Sequence, residues 1–204
     1  MNMDEAIKDT EPTSPAFKED SWTARDIILV IAAFGLIVLL AIGGFLYYQS
    51  TKPPTVTEGA QAPDFTYPVF GGGDATLSSF QGKVVLVNIW NTTCLECKKE
   101  MPLMEKEYQS LKNRPFEILA VSTDKDGASV IDPFIKKLVD EKGASIKLTF
   151  PILMDTNNMV GSTYQTIKYP ESFILDRDGK VVKIVIGRLT TDDFLLIDHL
   201  IQSQ

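Results

Sequence analysis

The chain reads as an α/β domain, with a central mixed β-sheet flanked by helices, behind one N-terminal transmembrane helix. Three observations lead there. From about residue 58 onward, strand-like apolar runs alternate with amphipathic helical stretches and end in a hairpin and a last helix, the pattern of a layered sheet-and-helix domain. Between Ile27 and Tyr48 lie 22 consecutive residues without a charge, enough for a helix of about 33 Å that crosses a hydrocarbon core. The only two cysteines among 204 residues, Cys94 and Cys97, form a C-x-x-C between a strand and a helix, a spacing that random scatter rarely produces.

Residues 1–25 mix charges with Pro12, Ser14 and Pro15 and show no apolar period, so a disordered cytoplasmic tail is expected. The transmembrane helix is placed at 26–49, in the lipid bilayer through residues 27–48. A cleaved signal would carry an apolar core of about 7–15 residues after a basic start and before a small-residue site. Here the run is longer, the preceding segment is acidic, and no small-x-small site follows Tyr47-Tyr48. The span is therefore read as a single-pass anchor. Lys8, Lys18 and Arg25 precede it, whereas Lys52 stands alone after it until Lys83. The positive-inside rule then puts the N-terminus in the cytoplasm and the rest outside the cell membrane. Residues 50–57, with Pro53-Pro54, read as a short stiff linker, and 58–204 as the folded domain.

Within the domain, Phe65 to Phe70 reads as an edge strand, because Pro68 cannot serve a sheet centre. Gly71-Gly72-Gly73-Asp74 turns the chain, and Leu77 to Phe80 forms a short helical turn. Val84 to Trp90 is nearly all apolar, as in a strand covered on both faces. A helix runs from Cys94 to about Lys112, with Met101, Met104, Tyr108 and Leu111 at helical spacing and Pro102 expected to bend or break it. Phe116 to Val121 is the next strand, parallel to the first through a right-handed crossover. Residues 129–141 read as helix, Phe150 to Met154 as strand and Met159 to Gln165 as a short helix. Ser172–Leu175 and Val181–Ile186, joined by Asp176-Arg177-Asp178-Gly179, make a hairpin. Thr191 is expected to cap the last amphipathic helix.

Charge and residue usage exclude several functions. A net charge of −7 argues against nucleic acid, whose phosphates demand a basic face. With both cysteines in one motif there is no disulfide framework, so the pair is there for chemistry. A structural zinc needs four Cys or His ligands, yet the one histidine, His199, lies about 100 residues on, in the last helix. The same distance counts against a Cys–His hydrolase and against a copper-binding module. What remains is redox sulfur chemistry. A cysteine at a helix N-terminus meets unpaired N–H groups and the positive end of the macrodipole, which favour its thiolate. A second cysteine one turn on can resolve a mixed disulfide. No cofactor and no metal are expected.

Several separated stretches now resemble the thioredoxin superfamily, and within it the membrane-attached TlpA/ResA-like thiol–disulfide oxidoreductases of cytochrome c biogenesis. They are Gly59-x-x-Ala62-Pro63-Asp64-Phe65, Val85 to Trp90 followed by Cys94-x-x-Cys97-Lys98-Lys99-Glu100-x-Pro102, Phe150 to Asp155, and Tyr169-Pro170-Glu171-Ser172-Phe173-Ile174-Leu175-Asp176 with Gly179-Lys180-Val181-Val182. The resemblance implies a thioredoxin-like fold. It implies that Cys94 is the nucleophile, Cys97 the resolving thiol and Glu100 an acidic proton carrier. It implies a cis-proline at Pro170, with Trp90, Tyr169, Pro170 and Glu171 forming the substrate surface. The implied substrates are disulfide-containing proteins such as apocytochrome c, and the implied partner is a membrane-bound thiol electron donor. The sequence departs from the family at Thr93, where a tryptophan usually precedes the first cysteine, and at Leu95-Glu96, which lacks the common proline. Asn88 stands where thioredoxins proper carry a buried aspartate. A thiol peroxidase is the rival enzyme, but Val87 and Asn91 occupy the places of its proline and threonine. Glu96, Glu100 and Glu171 are together expected to surround Cys94 with negative charge.

Overall fold

The computed structural model describes residues 23–51, 56–140 and 142–203. Of the tail expected at 1–25, residues 1–22 lie outside the described residues, while Ala24 and Arg25 already belong to the first helix; half of the linker expected at 50–57, residues 52–55, also lies outside them. The chain divides after Lys52 into two compact units. The first contains helix α1, Ala24–Thr51. Thr23 and Asp26 open it reciprocally: the Thr23 N–H donates to the Asp26 carboxylate (3.0 Å), and the Asp26 N–H donates to Thr23 Oγ1 (3.3 Å). Ala24–Tyr48 is long and apolar enough to cross a membrane, with a mean hydropathy of 3.0 in its most apolar window and its side chains unburied. The helix continues past position 49, because Gln49, Ser50 and Thr51 contain no breaker and Pro53 is the first.

The second unit is built on a five-stranded sheet ordered β5-β4-β3-β6-β7. Strand β3, Val84–Trp90, is buried at every residue and lies at its centre. It pairs in parallel with β4 (Phe116–Ser122), which pairs in parallel with β5 (Ile152–Met154). On its other side, β6 (Glu171–Leu175) is antiparallel to β3, and β7 (Val181–Ile186) is antiparallel to β6. Alternation along β3 sends Val84, Leu86 and Trp90 to one face and Val85, Val87 and Ile89 to the other. The first face packs against α2 (Leu95–Leu111), α3 (Ala128–Ile135) and α5 (Thr191–Gln202). The second is covered by Val56, Phe65 and Leu77 of the incoming chain, and by Val160 of α4 (Met159–Thr163) with Tyr164 beyond it.

Four elements differ from the reading of the sequence. The stretch from Phe65 forms β1, Thr66–Pro68, which pairs with β2, Asp74–Thr76, in a separate two-stranded sheet. It is joined by backbone hydrogen bonding to the main sheet at Val69, bridged to Leu153, and Phe70, whose N–H donates to the Ile152 carbonyl. Pro102 does not break α2, since Cys97, Met101 and Met104 are buried in one core on both sides of it. Helix α3 stops at Ile135 rather than 141. Gly143, with φ of 80°, lets Ala144 to Ile146 fold back on Leu138 to Asp140, where Val139 bridges Ser145. Finally, Thr190 rather than Thr191 caps α5, because only Thr190 has an acid three residues on, Asp193, to complete a capping box.

Candidate active site

Strand β3 ends at Trp90 and delivers the chain to the C-terminal edge of the parallel strands, where sites of α/β proteins assemble. Asn91, Thr92 and Thr93 bridge to α2. The Asn91 side-chain oxygen accepts from Thr93 N–H (3.1 Å) and hydroxyl (2.8 Å), a local turn that needs no other element. Cys94 is the N-cap of α2, and its Sγ accepts from the Cys97 N–H at 3.1 Å. The two cysteines are joined in a disulfide, Cα–Cα 5.3 Å. Cys94 is half-buried and Cys97 fully buried. One sulfur can therefore be approached from outside and the other cannot.

One turn past Cys97, Glu100 is only 2% exposed. The Asn88 amide of β3 donates to its Oε1 (2.9 Å), and the Leu189 N–H donates to its Oε2 (3.0 Å). Burial pushes its carboxyl from 4.5 up to about 7, against those two hydrogen bonds and the nearby Arg188 charge. At neutral pH this group exchanges a proton readily, which a solvated glutamate at 4.5 does not. Asn88 also donates to Ser172 Oγ (2.9 Å), while its own Oδ1 is buried without a partner. Turning the amide over would offer Oδ1 to a protonated Glu100, and the Ser172 hydroxyl can donate or accept in either state. Asn88, where an aspartate was the family alternative, meets Glu100 without adding a charge.

The remaining expected site residues fall differently. Tyr169-Pro170 is a cis peptide, Pro170 is buried, and the Tyr169 hydroxyl pairs with Thr123 Oγ1 at 3.1 Å. Trp90, expected on the substrate surface, is fully buried with its ring 5.1 Å from that of Phe134. It supports the site from the core and presents no face to a substrate. Glu171 is buried as well and is the register partner of Ile89, on the sheet face opposite Asn88 and Ser172. Its carboxylate accepts from the Ile167 N–H (3.0 Å) and holds the loop before Pro170; burial pushes its pKa above the ordinary carboxylate value against that bond. Glu96 is exposed and paired with Lys99 (2.6 Å) and Arg188 (3.8 Å). Of the three carboxylates expected to crowd Cys94, Glu171 is on the wrong face and Glu96 is neutralised. Glu100 alone remains.

Two residues of the site were not picked out from the sequence. Asp124, just beyond β4, accepts from the Thr92 N–H (2.9 Å) and hydroxyl (2.8 Å) and from Ser122 Oγ (2.8 Å). Thr123 donates its N–H to the Trp90 carbonyl (3.0 Å) while its hydroxyl meets Tyr169. Together they tie the loop before Cys94 to the loop before Pro170. Their position at the carboxyl end of a parallel strand was the available signal. Among the described residues, no three His, Cys, Asp or Glu side chains cluster so as to hold a metal. His199 lies exposed in α5.

Known proteins are similar to this chain. The sequence model of the AhpC/TSA family matches residues 59–184. The chain is 35% identical over 167 residues to the thiol-disulfide oxidoreductase ResA of Geobacillus kaustophilus, covering 81% of this chain and 91% of that protein. It is 33% identical over 157 residues to the ResA of Bacillus subtilis, covering 76% and 83%. A solved thiol:disulfide interchange protein from Bacteroides sp. aligns with a TM-score of 0.57 at 26% identity, over 72% of this chain and 91% of that one. With the C-x-x-C at the head of α2 and this breadth of similarity, the chain belongs to the AhpC/TSA family and is a thiol–disulfide oxidoreductase with a thioredoxin-like fold.

Proposed function

We propose that the protein is a membrane-tethered, extracytoplasmic reductant of protein disulfides, with apocytochrome c as its substrate and a membrane-bound thiol as its electron donor. The Cys94 thiolate attacks a substrate disulfide, forming a mixed disulfide and releasing the substrate's other sulfur, which takes a proton. Cys97 then loses its proton to the Glu100 carboxylate and attacks the Cys94 sulfur. The second substrate thiol leaves, the Cys94–Cys97 disulfide forms, and two electrons have passed to the substrate. The donor re-reduces the pair by the same exchange in reverse. In this reading Pro170 and the Tyr169 backbone meet the incoming chain as a strand partner.

The observation that carries the reading is the buried Glu100 carboxyl, raised to about 7 one turn beyond the buried Cys97. A resolving thiol with no solvent access needs a proton acceptor of its own, and this group is tuned to act near neutral pH. Support for the location comes from α1 and from the basic residues, three before the span (Lys8, Lys18, Arg25) against Lys52 alone after it. The naming of the relatives as ResA supports the choice of substrate. Protease added to intact cells, or to spheroplasts where an outer membrane is present, is expected to digest the domain after Lys52 and spare the N-terminal tail. A protected domain overturns the location.

A further inference from the structure

We propose that the rim of the Cys94–Cys97 site is a docking surface for an extended, disulfide-bearing segment with an acidic side chain beside its attacked cysteine and a large apolar one nearby. The proposal rests on the oxidoreductase reading and names the substrate class for it. Two observations carry it.

The first is the charge around the accessible sulfur. The chain as a whole carries −7, yet cations collect here. Lys99 and Arg188 both reach the Glu96 carboxylate, at 2.6 and 3.8 Å, and both are about half exposed. Lys168, two residues before Pro170, is exposed and close enough to act on the same carboxylate, which the Lys99 hydrogen bond holds below its usual range. Three cations thus share one exposed acid. The other carboxylates nearby do not offset them: Glu100 is buried and held by Asn88 and Leu189, Asp124 is tied to Thr92 and Ser122, and Glu171 faces away. An acidic group docking here replaces or joins Glu96 among cations already oriented.

The second is the exposed apolar surface. Outside α1, six large apolar residues of the described chain are exposed: Leu95, Val139, Met159, Ile167, Ile186 and Leu195. Two of the six adjoin residues of the site along the chain. Leu95, at 64%, follows Cys94, and Ile167, at 77%, stands three residues before the cis-proline. Neither is explained by the fold, since the Ile167 backbone is pinned through its N–H to Glu171 while its side chain points outward. Apolar side chains flanking a cationic patch fit a segment that carries both features.

The test uses the full chain in a neutral detergent, reduced and freed of reductant. Three substrates are compared: the uncharged 2-hydroxyethyl disulfide and two synthetic C-x-x-C disulfide peptides that differ only in Glu or Lys beside the first cysteine. At low salt the Glu peptide is expected to be reduced about tenfold faster than the Lys peptide, and the ratio should shrink towards one at about 0.5 M salt. In a Lys168→Glu/Arg188→Glu variant the ratio should invert. Changing a neighbouring Leu of the peptide to Ser should slow wild type about fivefold and an Ile167→Ser variant much less. Equal rates for the two peptides, or a faster Lys peptide, overturn the proposal while reduction of 2-hydroxyethyl disulfide leaves the enzyme reading intact. Failure to reduce even that compound defeats the enzyme reading itself.

Discussion

Cys94→Ser is expected to abolish disulfide exchange, whereas Cys97→Ser should accumulate mixed disulfides with substrate. The difference follows from access. Cys94 is half-buried at the helix entrance and takes the Cys97 N–H at 3.1 Å, so a thiolate there is stabilised by the open end of α2 and can be reached. Cys97 is fully buried and its sulfur is bonded to Cys94. Without it the first exchange still occurs, but the intermediate has no internal thiol to release it. Cell extracts acid-quenched and run without reductant should show high-mass adducts for Cys97→Ser that collapse on reduction, and none for Cys94→Ser. If Cys97→Ser traps nothing, the two roles are assigned wrongly.

Glu100→Gln is expected to change both stability and chemistry. The carboxyl sits at about 7 in the folded protein and 4.5 in the unfolded chain. The folded state therefore binds the proton more tightly, and between these values it holds more protons than the unfolded state. Stability linked to this group is fully present below pH 4.5 and is lost as pH rises through about 7, by on the order of 3 kcal/mol. In Glu100→Gln that loss should vanish, so denaturant midpoints of the oxidised protein should fall less between pH 4.5 and 8 than in wild type. In the reduced protein the ionised Glu100 opposes thiolate formation. For a carboxylate and a thiolate ~8 Å apart at an effective dielectric of about 20, such opposition amounts to roughly 2 kcal/mol, or roughly 1.5 pH units in the thiol's titration. The variant should thus show a lower Cys94 thiolate pKa by absorbance, and a turnover slower by about 100-fold for want of the proton acceptor. A wild-type pH profile of stability and an unchanged thiolate titration would remove Glu100 from the mechanism.

How far the molecule was legible depended on whether a feature is local. Strand β3 was legible end to end because a run buried on both faces is apolar at every step. The hairpin β6–β7 announced itself through Asp176 to Gly179, where the Asp176 side chain accepts from the Asp178 and Lys180 N–H groups. The pairing of β1 with β2 was not, since Pro68 pointed to an edge without saying whose. Among the site residues, the C-x-x-C needed only spacing. Glu100 was singled out through a resemblance, but its burial depends on the Leu189 N–H, 89 positions away and carried by backbone, which has no side-chain signal. Trp90 and Glu171 were read as substrate surface because they adjoin the motif in sequence. Strand alternation and the Phe134 ring instead turn both inward. Asp124 acts on Thr92 across 32 positions, a contact visible only once β3 and β4 lie side by side.

The equilibrium potential of the Cys94/Cys97 couple tests the reductant reading most directly. A thiolate opposed by an ionised Glu100 destabilises the reduced form and makes the couple a better electron donor. Equilibrated against glutathione or dithiothreitol buffers at pH 7, the pair is predicted to lie near or below thioredoxin's potential of about −270 mV. A value near −120 mV, that of a strong disulfide donor, would contradict the account.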